Sequence, residues 1–431
     1  MGSAREAALL ALQKWRTNSA WSDAALHAAI DRAGLDRRDA ALASRICYGT
    51  IQNLMYLDHC LNLFSSTPVN RLEPLVADIL RLSAYQLLFL SQIPAHAAVS
   101  EGVALCKRRA PRAAGLVNAV LRRLSERASN LPPVPGEGSA ACLSVRYSHP
   151  LWLCERMVNE HGYDFAEAFF TANNSETPVC IQTNTCKIAA SALLERLRSQ
   201  GFDAVMHPTL SDAILVSGGN LAGTEAFRSG LFFVQDAAAN LAVRCADPKP
   251  GMSVLDACAA PGGKSFAAAV LMNGTGRIRS CDLHENKLKR IRDGAARLGF
   301  AELIETAAID ARAQQGVYDV VLADVPCSGF GVIRKKPEIR FKDPAELAAL
   351  PEIQRAILDG LSRCVRPGGV LLYSTCTILP EENEQVVSDF LTDHPAFSPE
   401  PSDIAPEGTR TLWPHLDGTD GFYIAKLRKN A

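Results

Sequence analysis

Two cysteines end short apolar runs: Cys327 in Asp324-Val-Pro-Cys-Ser-Gly329, and Cys376 in Tyr373-Ser-Thr-Cys-Thr377. A cysteine beside a strand is usually a small buried hydrophobe, and most of the 13 in this chain fit that description. Two of them in polar loops at strand ends invite chemistry instead. A pair of thiols can form a disulfide switch, or one thiolate can add to an electron-poor ring while a second group resolves the adduct.

A third constellation is the run Cys258, Ala259, Ala260, Pro261, Gly262, Gly263 and Lys264, followed by Ser265. It follows Ser253-Val-Leu-Asp-Ala-Cys258 and opens a helical pattern, so backbone and helix N–H groups can approach a ligand closely. Gly263-Lys264-Ser265 has the ending of a triphosphate loop, but Cys258 stands where the leading glycine belongs. The rival ligand is a nucleoside cofactor, whose ribose needs a carboxylate about twenty residues on, at the end of the next strand. Asp282 is so placed, and Asp310 follows the third strand on the adenine side. With no G-x-G-x-x-G, a nicotinamide dinucleotide is disfavoured; S-adenosylmethionine, cationic and without phosphate, suits the acids better.

The elements that must position these groups follow from periodicity. Runs such as Tyr318-Asp-Val-Val-Leu-Ala323 and Gly369-Val-Leu-Leu-Tyr373, separated by helical-length segments, predict a parallel sheet with ligands beyond its carboxyl ends. Arg277 to Asp282, Leu303 to Ala308 and Gly421 to Lys426 extend it. Ahead of it, Val179–Thr183, Phe202–Met206, Ala213–Ser217 and Leu231–Val234 around a helix from Ala189 to Arg198 predict a small α+β unit. The first ~130 residues are helical throughout, as in the stripe Val117, Val120, Leu121 and Leu124. Leu131-Pro-Pro-Val-Pro-Gly-Glu-Gly-Ser139 cannot continue a helix. The expected division is an all-α domain over 1–130, a linker over 131–140, a small α+β domain of RRM or ferredoxin-like type over 141–234, and a Rossmann-like α/β domain with a mostly parallel sheet over 235–431.

Composition, 48% apolar and 21% charged, is that of a soluble multidomain protein. The longest purely apolar run, Phe266 to Met272, is far short of the ~20 residues that span a bilayer, so no membrane partner is expected. No signal-peptide h-region leads the chain, and the odd cysteine count without C-x-x-C spacing argues for a reducing cytoplasm and against a zinc site; no metal is expected. Residues 1–130 carry 16 Lys and Arg against 10 Asp and Glu, leaving 29 against 36 for the remainder. That excess is either a solvated helix surface or a face for nucleic-acid phosphates.

Asp256-Ala-Cys-Ala-Ala-Pro-Gly-Gly-Lys264, Asp324-Val-Pro-Cys-Ser-Gly329 and Ser374-Thr-Cys-Thr-Ile-Leu-Pro-Glu-Glu-Asn383 resemble the RNA cytosine-5 methyltransferases of the NOP2/NSUN/Sun type. Val325 and Thr377 depart from the commoner residues without removing chemistry. Arg45-Ile-Cys-Tyr-Gly49, Ile93-Pro-Ala-His96 and Gly115 to Arg123 resemble the NusB-like domain of the bacterial branch that acts on 16S ribosomal RNA. The resemblance implies S-adenosylmethionine as cofactor and cytosine 967 as target, another RNA being the alternative. It further implies Cys376 as nucleophile and Cys327 assisting release of the enzyme; a monomer is the default expectation. Asp324 is the candidate for the N3 edge of the base, besides bordering the cofactor, and Arg334, Lys335, Lys336, Arg340 and Lys342 are either a hold on the RNA backbone or a solvated loop. The rival classes are an RNA-binding scaffold without catalysis, which makes the strand-end residues disposable, and a degenerate phosphate-loop NTPase, which leaves Cys376 without a role.

Overall fold

The computed structural model describes residues 3–18 and 22–431; residues 1, 2 and 19–21, inside the expected helical domain, lie outside the described part. The chain forms two compact units, Met1–Asn174 with Lys335–Lys342, and Ser175–Arg334 with Asp343–Ala431.

The first unit is helical, the NusB-like part of the fold. Asp36 caps Arg37–Gln52 by accepting the Asp39 N–H at 2.8 Å, and Pro74 opens the central helix Pro74–Phe89, where its missing N–H costs nothing. Ala114–Arg127 turns the stripe Val117, Val120, Leu121 and Leu124 inward, all fully buried beside Ile79, Leu80 and Leu105. No regular element crosses 131–139.

The helices Ala140–Tyr147, Leu151–His161 and Tyr163–Asn173 join this compact unit, and the one that holds the small sheet begins at Ser175. Polar contacts hold them there: the Tyr56 N–H donates to Ser148 Oγ at 3.0 Å, and the Gln52 amide to the Asn174 carbonyl at 2.9 Å. The segment Lys335–Lys342 completes the unit with Phe341, whose ring meets Trp15 edge-on at 5.4 Å.

The second unit holds two sheets. The smaller is ferredoxin-like, antiparallel, and ordered Asp203–Met206, Ala213–Ser217, Val179–Thr183, Phe232–Val234, with Ala190–Ser199 packing Leu193, Leu194 and Leu197 against it. It is fastened to the larger layer by the Arg297 guanidinium, which donates to the carbonyls of Phe227 and Phe232 and stacks on the Phe227 ring at 3.8 Å.

The larger sheet has eight strands. Ile304–Ala308, Arg277–Asp282, Ser253–Asp256, Tyr318–Asp324 and Val365–Thr375 run parallel in that spatial order. Phe422–Lys429 then pairs antiparallel with Val365–Thr375, and Phe397–Pro399 and Thr409–Leu412 pair with it in turn. The last two were not expected; three or four residues containing Ser, Pro, Thr and Arg carry no readable alternation. The parallel strands are buried on both faces, as their helix-covered position requires. Reversal of strand order beside Ser253–Asp256 opens a crevice at the carboxyl ends, where ligands of such sheets bind.

Candidate active site

The rim of that crevice collects most of the residues singled out in the sequence. Tyr318–Asp324 and Val365–Thr375 are adjacent and parallel, with Asp324 opposite Ser374 in register, so the loops leaving them run side by side. Cys327 and Cys376 consequently meet, Sγ to Sγ, at 3.2 Å.

The two loops are zipped at several points. Ser328 Oγ lies 2.7 Å from Thr377 Oγ1; the Gly331 N–H donates to the Cys376 carbonyl at 2.9 Å; the Gly421 N–H donates to the Gly331 carbonyl at 2.8 Å. Arg334, almost buried, closes the end of the zipper on Asp420 at 2.5 Å, with Asp236 at 3.7 Å. Gly331 and Gly421 approach so closely that a Cβ on Gly331 would sit 1.8 Å from the Gly421 carbonyl oxygen.

Each thiol is also held from behind by side chains that ordinary pattern reading assigns no role. Gln354, on Leu350–Ser362, donates its amide to the Pro326 carbonyl at 3.0 Å and to Glu382 Oε2 at 2.9 Å. Glu382 Oε2 also accepts the Ser328 N–H at 2.9 Å, so the peptide groups on both sides of Cys327 are fixed. Asn383 does the same for Cys376: its Oδ1 accepts from Thr375 Oγ1 at 2.6 Å and its Nδ2 donates to the Thr377 carbonyl at 3.1 Å. Glu382 and Asn383 carried a sequence signal, the run after Pro380, though not the role. Gln354 carried no signal of its partners, which lie 28 residues away on either side.

Asp324 borders the thiols. Lys264 Nζ is 2.7 Å from Asp324 Oδ2 and Ser374 Oγ donates to Oδ1 at 3.0 Å; the ammonium also lies 5.1 Å from the Phe422 ring centroid. Lys264 is thus committed to a carboxylate, which counts against a triphosphate there.

The loop from Cys258 to Lys264 leads from Ser253–Asp256 into Gly263–Leu271. It contains a cis Ala260–Pro261 bond, and Gly262 adopts φ +109°, a conformation side-chain-bearing residues avoid. Ala259 is buried, its N–H on the Cys281 carbonyl at 2.7 Å, while Pro261 is exposed. Asp282 ends Arg277–Asp282 nearly buried; its Oδ1 accepts the His284 N–H at 3.0 Å and lies 3.3 Å from Lys287. Asp310 follows Ile304–Ala308 and pairs with Arg312 at 2.5 Å. Asp256, quoted in the motif without a role, is fully buried; Oδ2 accepts from Ser265 Oγ at 2.7 Å, while Oδ1 has no partner.

Electrostatics tie these groups into one field. Burial first, then the charges of Asp256, Asp324, Asp282 and Asp310, push the Cys258 thiol up. Burial likewise raises Asp256 to about 6, against the pull of Ser265 and Lys264. The Arg312 guanidinium holds Asp310 below the usual carboxylate range. For Cys327 the largest cause is its hydrogen bond to Cys376; burial and the charges of Cys376, Glu382 and Asp324 add to it, and all hold the thiol well above its ordinary value.

Two of the basic residues expected to face RNA do not. Arg334 is locked on Asp420. Arg340 is fully buried within the first unit, donating to the carbonyls of Gln52 at 2.6 Å and Ser148 at 2.9 Å and to Asn174 Oδ1 at 3.2 Å. A guanidinium out of water needs such acceptors, and these consume the donors a phosphate would take.

Among the described residues no helix is long and apolar enough to cross a membrane. The family model described as 16S rRNA methyltransferase RsmB/F matches residues 243–428, the NusB family model residues 2–126, and the ferredoxin-like domain of RsmF/B-like methyltransferases residues 149–220. The protein named probable ribosomal RNA small subunit methyltransferase B of Bacillus subtilis (strain 168) is 36% identical over 99% of both chains. The ribosomal RNA small subunit methyltransferase B of Erwinia tasmaniensis is 34% identical over 91% of each. The crystal structure of PH0851 aligns with a TM-score of 0.80 at 28% identity, over 99% of this chain and 98% of its own. A methyltransferase homolog protein from Pyrococcus horikoshii reaches 0.60 at 28% identity, over 68% and 100%. Because the likeness to the Bacillus relative runs the length of both chains, not the catalytic half alone, this RNA methyltransferase belongs to the RsmB/F family of 16S rRNA methyltransferases.

Proposed function

We propose that the protein methylates carbon 5 of a cytosine in 16S ribosomal RNA, at the position numbered 967 in the family resemblance, with S-adenosylmethionine as donor and a covalent cysteine–cytosine intermediate. The observation that carries this reading is the pair of thiols 3.2 Å apart beside Asp324, at the ends of two adjacent parallel strands.

Carbon 5 of cytosine is a poor nucleophile. Addition of a thiolate at carbon 6 breaks the 5,6 double bond and makes carbon 5 the electron-rich end of an enamine. After the methyl group arrives, loss of the carbon 5 proton and cleavage of the S–C6 bond restore the ring and free the enzyme. Cys376 is the attacking thiol in this reading and Cys327 serves release. The 3.2 Å contact between them is compatible with that order: either sulfur can donate, and a Cys327 thiol held well above its ordinary value keeps the proton that Cys376 would accept. Asp324, oriented by Lys264 and Ser374, presents its carboxyl to the N3 edge of the base and supports the charge the ring acquires.

The cofactor residues fit a cationic nucleoside. Asp282 would hold the ribose hydroxyls, Asp310 the adenine side, and the backbone from Cys258 to Lys264 the remainder; the crevice is acidic, and the Lys264 ammonium is spent on Asp324. When bound, S-adenosylmethionine supplies an activated methyl group. The target base must leave its stack to reach the thiols, so a loop or locally opened RNA segment in the cytoplasm is the expected substrate.

The test is methyl transfer from labelled S-adenosylmethionine to small-subunit ribosomal RNA. Cys376→Ala should give no product, and Cys327→Ala should accumulate a protein–RNA adduct stable to denaturant. Full transfer by Cys376→Ala would refute the assignment of the nucleophile. No transfer by the native protein to any RNA offered would refute the activity.

A further inference from the structure

Consecutive residues hold the two thiols, and they differ in charge. Asn383, neutral and fully buried, brackets Cys376 through Thr375 Oγ1 and the Thr377 carbonyl. Glu382, 2% exposed, brackets Cys327 with Gln354 through the Ser328 N–H and the Pro326 carbonyl. Its backbone is anchored in turn, the Tyr373 hydroxyl donating to the Glu382 carbonyl at 2.5 Å. The second carboxylate oxygen, Oε1, is buried without a hydrogen-bond partner, so nothing but the Gln354 and Ser328 dipoles offsets its charge. Such a carboxyl is expensive to bury, and an apolar or amide residue would fill the space at lower cost.

We propose that Glu382 and Asn383, with Gln354, are positioning residues that divide the labour between the thiols: both loops are clamped, and the anionic clamp behind Cys327 keeps that thiol from attacking the base. This rests on the two-thiol reading given above. A negative charge beside Cys327 disfavours its thiolate and leaves its proton to point at Cys376, whose own clamp is an uncharged amide. The other ionisable groups facing Cys327 are Cys376, Asp324 and Tyr373; the Lys264 ammonium beyond Asp324 is paired with that carboxylate at 2.7 Å, and the causes acting on Cys327 raise it. Two adjacent residues on one turn thus give chemically identical side chains different protonation.

The test needs neither RNA nor cofactor. In a Cys376→Ser background, alkylation of Cys327 by iodoacetamide is followed by peptide mapping as pH is raised, with Glu382 and with Glu382→Gln. Glutamine keeps an acceptor for the Ser328 N–H and removes the charge. Cys327 should then titrate about one pH unit lower, alkylating about tenfold faster at pH 8. An unchanged midpoint in the glutamine variant overturns the proposal, even where methyl transfer itself behaves as described. Gln354→Met, with Cys376 intact, keeps the charge and loses the Pro326 clamp. It should lower kcat for methyl transfer about tenfold or more at an unchanged KM for RNA. An unaltered kcat overturns the positioning half, and a KM effect alone would assign Gln354 to RNA binding instead.

Discussion

Replacing Gly331 by alanine adds one methyl group at the point where the two thiol loops are zipped. The new Cβ would lie 1.8 Å from the Gly421 carbonyl oxygen and 2.9 Å from the Cys376 carbonyl oxygen. Real Cβ contacts essentially never fall below 3.0 Å, so one backbone must move by at least 1.2 Å. Neither can move alone, because the Gly331 N–H is bonded to Cys376 and the Gly421 N–H to Gly331. Overpacking of this kind costs about 1–3 kcal/mol. In a unit of this size that lowers Tm by about 2 to 12 °C, which leaves the protein folded at assay temperature. The larger effect is on the reaction, since a displacement of about 1 Å at a reacting group costs on the order of 100-fold in rate. The assay is single-turnover methyl transfer at saturating RNA and cofactor, with a thermal melt and a cofactor titration on the same preparation. Transfer at the native rate, with the melt lowered as expected, would show that the spacing of Cys327 and Cys376 does not limit catalysis.

Asp256→Asn should change the pH dependence of stability. The buried carboxyl has its folded value raised from 3.8 to about 6, so its contribution is complete below pH 4 and is lost as pH rises through about 6. Urea denaturation at pH 5 and pH 8 should show the asparagine variant gaining on the native protein by about 1.4 kcal/mol, the part of the full span that falls above pH 5; an equal difference at both pH values would contradict the buried charge. Asp282→Asn should weaken S-adenosylmethionine binding about tenfold or more by calorimetry, the loss expected for one charged hydrogen bond. It should leave Tm nearly unchanged, because an asparagine oxygen can still accept the His284 N–H; equal affinity would remove Asp282 from the pocket.

What could be read in the sequence, and what could not, divides by the range of the interactions involved. The strand ends carrying Cys327, Cys376, Asp282 and Asp310 were legible because apolar runs bounded by Gly and Pro specify a strand locally, and a parallel sheet then fixes where its ends must lie. The meeting of the two thiols required one more step, the adjacency of Tyr318–Asp324 and Val365–Thr375, which follows from strand order and not from either motif. Arg340 failed the same reading for an opposite reason. A basic residue in a loop after a thiol suggests a phosphate contact, but its acceptors are carbonyls 288 and 192 residues away, a choice of partner that no local pattern encodes. Gln354 is the instructive intermediate. Its helix is plain from periodicity, and a fully buried amide on such a helix must find partners; only the packing of Leu350–Ser362 against the loop of Cys327 shows that those partners are Pro326 and Glu382. A buried polar side chain on an otherwise apolar helix face is therefore the sequence feature most worth following toward a clamp of this kind, because its need for a partner is local while the identity of that partner is not.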